Sequence, residues 1–158
     1  MNTRHIYYFS RLNYIFLFLL LRTCFMSTTC AQEIVVKDIP SLEKLPVKAI
    51  HRIFQDSDGY IWYGTFNGLC RDDGYDVRVF RSDLFHYGLL KDNYITYINE
   101  DHEKHIWFGT FKGAYMLDKA TYRITPVNME ELSDKNVFSI NVTKDGTIWV
   151  SVAGALFR

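Results

Sequence analysis

Three tryptophans stand in the same sequence context, and this repetition limits the folds open to the chain. Trp62, Trp107 and Trp149 are spaced 45 and 42 residues apart, and their surroundings align without a gap: DSDGYIWYGTFNGLCR, DHEKHIWFGTFKGAYM and TKDGTIWVSVAGALFR. Upstream, aliphatic residues share two register positions: Ile50, Ile95 and Val137, then Ile53, Ile98 and Ile140. A period in the forties predicts stacked units that cannot bury their own faces alone.

Within each unit the pattern predicts four strands. AIHRIFQ and YITYINE alternate in character, as first strands do, and turns follow in which Gly59 and Gly146 can adopt a positive φ. YIWYGTF predicts a second strand. Asn67-Gly68 is a hairpin signal, and Lys112-Gly113 and Gly154-Ala155 occupy the same two places. LCR then begins a third strand, and YDVRVF and TYRIT predict fourth strands.

The second strand also predicts how the units meet. Both of its faces are apolar, which is typical of sheets packed face to face. One face combines a tryptophan with a small residue that leaves room for a large side chain from the next sheet. The pairs are Trp62 and Gly64, Trp107 and Gly109, and Trp149 and Ser151. We therefore predict an all-β fold, a partial β-propeller of about three four-stranded antiparallel blades with the third incomplete.

The N-terminus has the layout of an export signal. Arg4 and Arg11 give a positive start, YIFLFLLL an apolar core, and TCA small residues for cleavage, with Gln32 as the new N-terminus. The apolar run is short for a bilayer and ends at Arg22, so a retained anchor is the minority alternative. We expect an exported, periplasmic protein with a signal peptide helix over 1–31, a leading segment over 32–47, and repeats over 48–92, 93–134 and 135–158.

Charge and cysteine content limit the classes of function that the chain can have. The chain has 18 basic and 18 acidic side chains, and the first 31 residues hold three arginines and no acid, so the remainder carries about −3. A nucleic-acid-binding surface needs a basic patch, and we expect none in this part. Cys24 and Cys30 leave with the signal. Cys70 alone can form neither an internal disulfide nor a metal site, and we expect it to be a small buried hydrophobe.

The signature D-G-x-I-W-x-G-T-x-x-G-L resembles the two component regulator propeller repeat, most closely in the first copy. Glu103-Lys104 replaces Asp-Gly in the second copy, and Ser151-Val152 replaces Gly-Thr in the third. The resemblance extends over residues 48–158. It implies the periplasmic sensor region of a Bacteroidetes hybrid two-component regulator. Full-length members continue through further blades, a β-sandwich, a membrane helix and a histidine kinase core, and they detect oligosaccharides. Dimers are expected only in that full-length context.

Candidate chemical sites in the sequence are weak. The acidic turn Asp56-Ser57-Asp58-Gly59 lacks the further ligands of a calcium loop. HEKH, from His102 to His105, has one residue too few between glutamate and histidine for a zinc-protease helix. Cys70, His51 and His86 form no nucleophile–base pattern. We expect no catalytic residue, cofactor or metal, and a structural repeat signature: Trp62, Gly64, Gly68, Trp107, Gly109, Gly113, Trp149 and Gly154.

These features predict a fragment of a ligand-sensing propeller. Ligand would engage its loops or axial region, and an oligosaccharide is the ligand that the resemblance implies. Two alternatives remain open: a fragment of a secreted propeller enzyme that acts on polysaccharide, and a stand-alone protein-interaction module. Because three blades cannot close a ring, we expect a truncated product whose end blades expose apolar faces and which does not signal alone.

Overall fold

Each repeat folds into its own antiparallel sheet in the computed structural model, which describes residues 38–82 and 90–158. Sheet 1 consists of β1 (Ile50–Gln55), β2 (Ile61–Thr65), β3 (Gly68–Asp72) and β4 (Val77–Phe80). Sheet 2 consists of β5 (Ile95–Glu100), β6 (His105–Thr110), β7 (Gly113–Asp118) and β8 (Ile124–Pro126). Sheet 3 consists of β9 (Val137–Val142), β10 (Ile148–Val152) and β11 (Ala155–Phe157). Two short 3₁₀ helices span Pro40–Lys44 and Glu130–Leu132.

Strand order follows the sequence within every sheet, so each sheet is a meander of hairpins. The prediction of an all-β fold with two four-stranded sheets and an incomplete third is confirmed. The predicted signal peptide helix over 1–31 lies outside the described residues. In the part of the chain that is described, no helix has the length and apolar character needed to cross a bilayer.

Successive sheets pack face to face through the tryptophans. Trp62 in β2 is fully buried in a cluster with Ile95 and Ile98 of sheet 2. Trp107 in β6 packs against the cluster that contains Val137 and Ile140 of sheet 3. All three tryptophans lie at equivalent second-strand positions, but Trp107 and Trp149 are only partly buried. Trp62 and Trp107 each pack on the sheet that follows, whereas sheet 3 is followed by none among the described residues.

The glycines two places after Trp62 and Trp107 admit a branched side chain from the next sheet. A Cβ on Gly64 would lie 3.0 Å from Cγ2 of Ile95. A Cβ on Gly109 would lie 2.6 Å from Cγ1 of Val137, closer than real carbon atoms approach. These glycines are therefore required for the spacing between sheets rather than for their own backbone conformation.

Gly109→Ala should destabilise the protein by about 1–3 kcal/mol, because the added methyl group overpacks the contact between sheets 2 and 3. Urea unfolding followed by circular dichroism measures the loss. Combining the change with Val137→Ala should recover part of it, since the smaller side chain vacates the space. Gly64→Ala, with its looser contact, serves as the milder comparison. If Gly109→Ala caused the same loss of stability in the Val137→Ala background as in the parent protein, the close contact between Gly109 and Val137 would be contradicted.

The second hairpin of each sheet turns one residue earlier than the sequence predicts. Thr65 pairs with Gly68, so the two loop residues are Phe66 and Asn67 rather than Asn67 and Gly68. The hydroxyl of Thr65 accepts the N–H of Asn67 at 3.0 Å and donates to the carbonyl of Gly68 at 2.9 Å. This threonine closes the hairpin from its buried end. Sheet 2 repeats the arrangement with Thr110, Lys112 and Gly113, while Gly154 is the second loop residue in sheet 3.

The first hairpin of each sheet contains a residue with positive φ. Gly59 and Gly146 have φ values of 90° and 81°, as the turn chemistry predicts. The equivalent position in sheet 2 is Lys104, whose φ is 67°. The departure of the second repeat from the Asp-Gly pattern therefore places a lysine in a left-handed conformation that glycine adopts more readily.

The leading segment packs on the face of sheet 1 that carries Tyr63 and Cys70. Leu42 and Leu45 pack on Tyr63 and Cys70, and the hydroxyl of Ser41 donates to the buried carboxylate of Asp72 at 2.6 Å. Burial raises the pKa of Cys70 to about 11, so this thiol stays protonated and packs as a hydrophobe. Cover is partial, because Ile53 in β1 remains exposed.

Candidate functional site

A buried aspartate anchors the first hairpin to the tryptophan in sheets 1 and 2. One carboxylate oxygen of Asp56 accepts the backbone N–H groups of Asp58 and Tyr60, at 3.0 and 2.9 Å. The other accepts the indole N–H of Trp62 at 2.8 Å. Asp101 makes the equivalent bond to Trp107 at 2.7 Å. The carboxylate therefore holds both the turn and the orientation of the buried indole.

Sheet 3 lacks this anchor. The residue six places before Trp149 is Thr143, whose hydroxyl bonds to Asp145 and to the carbonyl of Thr147 within its own turn. The sequence alignment already shows aspartate twice and threonine once at this position. The sequence pattern predicts these aspartates only as turn formers, and it does not predict their hydrogen bonds to the indole N–H groups.

Three carboxylates meet where sheets 1 and 2 adjoin. Asp56, Asp58 and Glu100 each bring an oxygen to within 4.8 Å of the others, a geometry that could attract a cation. The ammonium of Lys119 supplies that charge: it lies 3.2 Å from Asp56 and 2.7 Å from Asp58, and it also contacts Glu100. Lys119 comes from the turn between β7 and β8 and is 11% exposed. The cluster is therefore an ion-pair network between sheets.

The proton affinities of the cluster agree with ion pairing. Burial opposes the charged form of Lys119, but its hydrogen bonds to Asp58, Glu100 and Asp56 outweigh burial and raise its pKa. Hydrogen bonds from Lys104 and Lys119 lower the pKa of Asp58 to about 2. Lys119 and Asp58 are thus charged throughout the physiological range, which suits a structural link between sheets.

The histidines of the HEKH motif have separate structural partners. His102 bonds through Nε2 to the carbonyl of Thr143 at 3.0 Å, which links sheets 2 and 3. His105 bonds through Nδ1 to Asp101 at 3.0 Å. Burial opposes ionisation of Asp101, but bonds from Trp107 and His105 lower its pKa. The two rings point to different partners, and the motif provides no shared metal geometry.

The polar turn RDDG also serves the interior. The carboxylate of Asp72 accepts hydrogen bonds from Ser41, the phenol of Tyr63 and the N–H of Gly74. Burial and the negative charge of Asp72 raise the pKa of Tyr63 to about 12. The turn is thereby tied to the leading segment rather than left open to a ligand.

A row of aromatic rings crosses from sheet 1 to sheet 2 at the other end of the strands. His51 stacks on Tyr94 with ring centroids 4.7 Å apart, and Tyr94 stacks on Phe111 at 4.2 Å. Phe66 lies 6.3 Å from His51 and extends the row. Phe66 and Phe111 are the first loop residues of their hairpins and remain 47% and 43% exposed. Exposed apolar rings grouped in this way make the row a candidate interaction site.

The row borders a cleft of about 290 Å³ to which all three sheets contribute. We call it the axial cleft and define it by its lining residues: His51, Arg52, Tyr94, Ile95, Thr96, Phe111, Asn136 and Phe138. Contacts between successive sheets run mainly along the first strands, β1, β5 and β9, so the cleft lies where the sheets approach each other most closely. Aromatic walls combined with a few polar groups are typical of small-ligand sites.

A larger cavity of about 400 Å³ lies beside β7, between the hairpin loop and the 3₁₀ helix at Glu130–Leu132. Its walls come from sheet 2 and its connections alone, and the phenol of Tyr115 within it is engaged by the N–H of Lys91 at 3.0 Å. The axial cleft is the better candidate because it joins three sheets and presents stacked, exposed rings.

The sequence contained only half of the signal for the axial cleft. Phe66 and Phe111 align at the same repeat position, four places after the tryptophan, but the third repeat has Ala153 there. Tyr94 and His51 occupy unrelated repeat positions and become neighbours only through the packing of sheet 1 on sheet 2. The sequence supports only a general expectation that a ligand engages the loops or the axial region. The structure adds named candidate residues to that expectation.

Comparison with known proteins identifies the repeat. The family model described as two component regulator propeller matches residues 44–67 and 89–112. The resemblance read from the signature is therefore confirmed in the first two repeats, and the sheets are propeller blades. No curated, characterised protein matches the chain significantly.

Several solved structures share the fold. The extracellular domain of BT3049, a proposed hybrid two component system from B. thetaiotaomicron, is 24% identical with a TM-score of 0.55, over 75% of this chain and 14% of that one. That of BT4673, from the same organism and also proposed as a hybrid two component system, is 20% identical with a TM-score of 0.60, over 71% and 15%. This chain thus spans about one seventh of those domains.

A third similar structure is an enzyme. Virginiamycin B lyase from Staphylococcus aureus, solved as an inactive variant with quinupristin, is 15% identical with a TM-score of 0.54, over 72% of this chain and 42% of that one. At this identity the likeness shows the fold alone. The propeller blade accordingly occurs in both sensors and enzymes.

Proposed function

We propose that this chain is the N-terminal part of a periplasmic sensor propeller that binds an oligosaccharide in the axial cleft and does so without catalysis. The observation that carries the proposal is the row of rings along the cleft, in which His51, Tyr94 and Phe111 stack in sequence and His51 and Phe111 are exposed. The repeat match supports a place in a two-component sensor.

The chemistry of the cleft suits a sugar. A pyranose ring has apolar C–H faces and hydroxyl groups around its rim, so it pairs with flat aromatic surfaces bordered by polar groups. The exposed rings of His51 and Phe111, with Tyr94 held between them, provide the flat surface, and Thr96 and Asn136 place hydrogen-bonding groups beside it. An extended row rather than a deep pocket favours a chain of several sugar units over a single one.

Signalling would follow from differential binding. A ligand held by side chains from three blades favours one relative arrangement of those blades, and only such a difference in affinity can shift a conformational equilibrium. In a full-length sensor the shift would pass to a membrane-anchored, dimeric kinase. Export after cleavage before Gln32 would place the cleft in the periplasm, where oligosaccharides arrive.

The enzyme alternative has less support. The titratable clusters of the described residues are engaged in structural contacts: the carboxylates beside Lys119 form an ion-pair network, and His102 and His105 serve the turns. The axial cleft contains no carboxylate among its lining residues, whereas glycoside hydrolysis uses a pair of them. Its composition favours binding over bond cleavage.

A glycan array probed with the purified chain tests the proposal. We expect retention on oligosaccharides, and calorimetry with a bound glycan should show about tenfold weaker affinity for Phe111→Ala, which removes a stacking surface, and for Tyr94→Ala, which removes the ring that holds His51 and Phe111 in the row. Tyr75→Ala is the matched control, since Tyr75 is 87% exposed in a turn outside the cleft. Failure to bind any glycan, or equal binding by the cleft variants and the parent chain, would refute the proposal.

A further inference from the structure

We infer that the axial cleft selects saccharides that carry a carboxylate or sulfate group, and that Arg52 is the residue that recognises this charge. The inference rests on the proposed function, because it specifies the class of sugar that the cleft takes. It starts from the charge of the lining residues, which include His51 and Arg52 and no acid.

Arg52 is available to a ligand. Its side chain is exposed at the mouth of the cleft, and its Nη1 donates to the carbonyl of His51 at 2.9 Å. None of the ion pairs among the described residues involves Arg52. A guanidinium has five N–H donors in a planar fork. Those that do not bond to the His51 carbonyl can donate to the two oxygens of a carboxylate or sulfate.

Packing positions the Cβ of Arg52. The Cβ of Arg52 rests against Gly64, where a Cβ built on the glycine would lie 3.1 Å away. The neighbouring ring of His51 is held by its stack on Tyr94. The base of the arginine side chain thus packs on β2, and Arg52 lines the same cleft as the aromatic row, so its guanidinium can meet the substituents of a sugar bound on that row.

Charged groups of both signs lie near the cleft. Lys112 follows Phe111 in the hairpin, and the carbonyl of Lys135 accepts the N–H of Gly113 at 2.9 Å, which brings a second exposed lysine to the same end. Two acids at this end have partners of their own. Asp92 accepts the N–H of Tyr94 at 3.0 Å, and Asp134 pairs with Lys91 at 3.5 Å.

Asn136 adds an unfilled polar position in the wall of the cleft. Its side-chain oxygen is shielded from solvent and, among the described residues, has no hydrogen-bond donor. A buried acceptor without a partner is costly, and rotation of the Asn136 side chain toward the cleft would let a hydroxyl group of a bound sugar satisfy it. A negative substituent toward Arg52 and a hydroxyl toward Asn136 together describe an acidic saccharide.

The experiment compares acidic and neutral glycans on one array that holds uronate-bearing, sulfated and neutral oligosaccharides. We expect the retained glycans to carry a carboxylate or sulfate, and uronates and sulfated glycans report separately which anion is preferred. Calorimetry then uses a retained glycan and its neutral counterpart, the methyl ester of a uronate or the desulfated sugar. The acidic form should bind at least about tenfold more tightly, because hydrogen bonds to a charged group are stronger than those to a neutral one.

Variants connect this preference to Arg52. Arg52→Gln should remove most of the difference between the acidic and neutral forms, and Arg52→Lys should retain part of it. Arg123→Gln is the matched control, because it removes the same charge from an exposed turn at the opposite end of β7. Equal affinity for neutral glycans, or an unchanged preference in Arg52→Gln, would overturn this inference and leave the proposed function standing. Failure to bind any glycan would overturn both.

Discussion

Trp62→Ala should lower the free energy of unfolding by about 3–5 kcal/mol, the largest loss that we expect from a single tryptophan in this chain. The indole is fully buried between sheets 1 and 2, and its N–H bonds to Asp56 at 2.8 Å. Alanine would leave a cavity and also deprive a buried carboxylate of one donor. Urea unfolding followed by far-ultraviolet circular dichroism measures the loss without relying on tryptophan fluorescence.

Trp149→Ala is the matched control for this prediction. It removes the same side chain from the same strand position, but Trp149 is partly exposed and has Thr143 where Trp62 has Asp56. Its loss should be smaller by about 2 kcal/mol or more, because less apolar surface leaves the core. Equal losses from the two variants would contradict the assignment of Trp62 to an interface between sheets.

Lys119→Met should destabilise the protein by about 3 kcal/mol, because it removes the cation shared by a partly buried network and leaves the buried carboxylate of Asp56 without its counter-charge. Here three carboxylates, those of Asp56, Asp58 and Glu100, would be left within 4.8 Å of one another. Chemical unfolding at neutral pH measures the change. Adding Glu100→Gln to the same variant should restore part of the loss by removing one of the charges.

Lys104→Met provides the control for the ion-pair prediction. Lys104 contacts only Asp58 of the three carboxylates, at 2.6 Å, and its side chain is 60% exposed. An exposed pair of this kind contributes about 1 kcal/mol or less. If Lys119→Met unfolded like the parent protein, or no differently from Lys104→Met, the network would have no structural role between the sheets.

The sequence predicts those parts of the fold that recur in every repeat. The tryptophan spacing and the small residue two places later reflect a contact made once per sheet, so the repeat pattern alone assigns Gly64 and Gly109 to inter-sheet packing. The second hairpin lies one residue earlier than its strongest sequence signal predicts. Asn-Gly is a strong turn signal, but the hydroxyl of Thr65 closes the loop around Phe66 and Asn67 instead.

Features that join different repeats could not be predicted. Lys119 meets carboxylates that lie 61 and 63 residues earlier in the chain, and no equivalent lysine recurs at a repeat position. His51 and Tyr94 stack across two sheets in the same way, from positions that the alignment does not pair. A repeat alignment detects what each sheet does alike, whereas the candidate ligand site arises from what the sheets do differently.

The central claim is that an oligosaccharide binds on the aromatic row of the axial cleft. Intermolecular nuclear Overhauser effects between a glycan retained on the array and the protein test it most directly. The account predicts contacts from sugar ring protons to the aromatic protons of Tyr94 and Phe111, with none to Tyr75 in the turn after β3. Contacts confined to the turns at the opposite end of the strands, with Tyr94 and Phe111 silent, would contradict it.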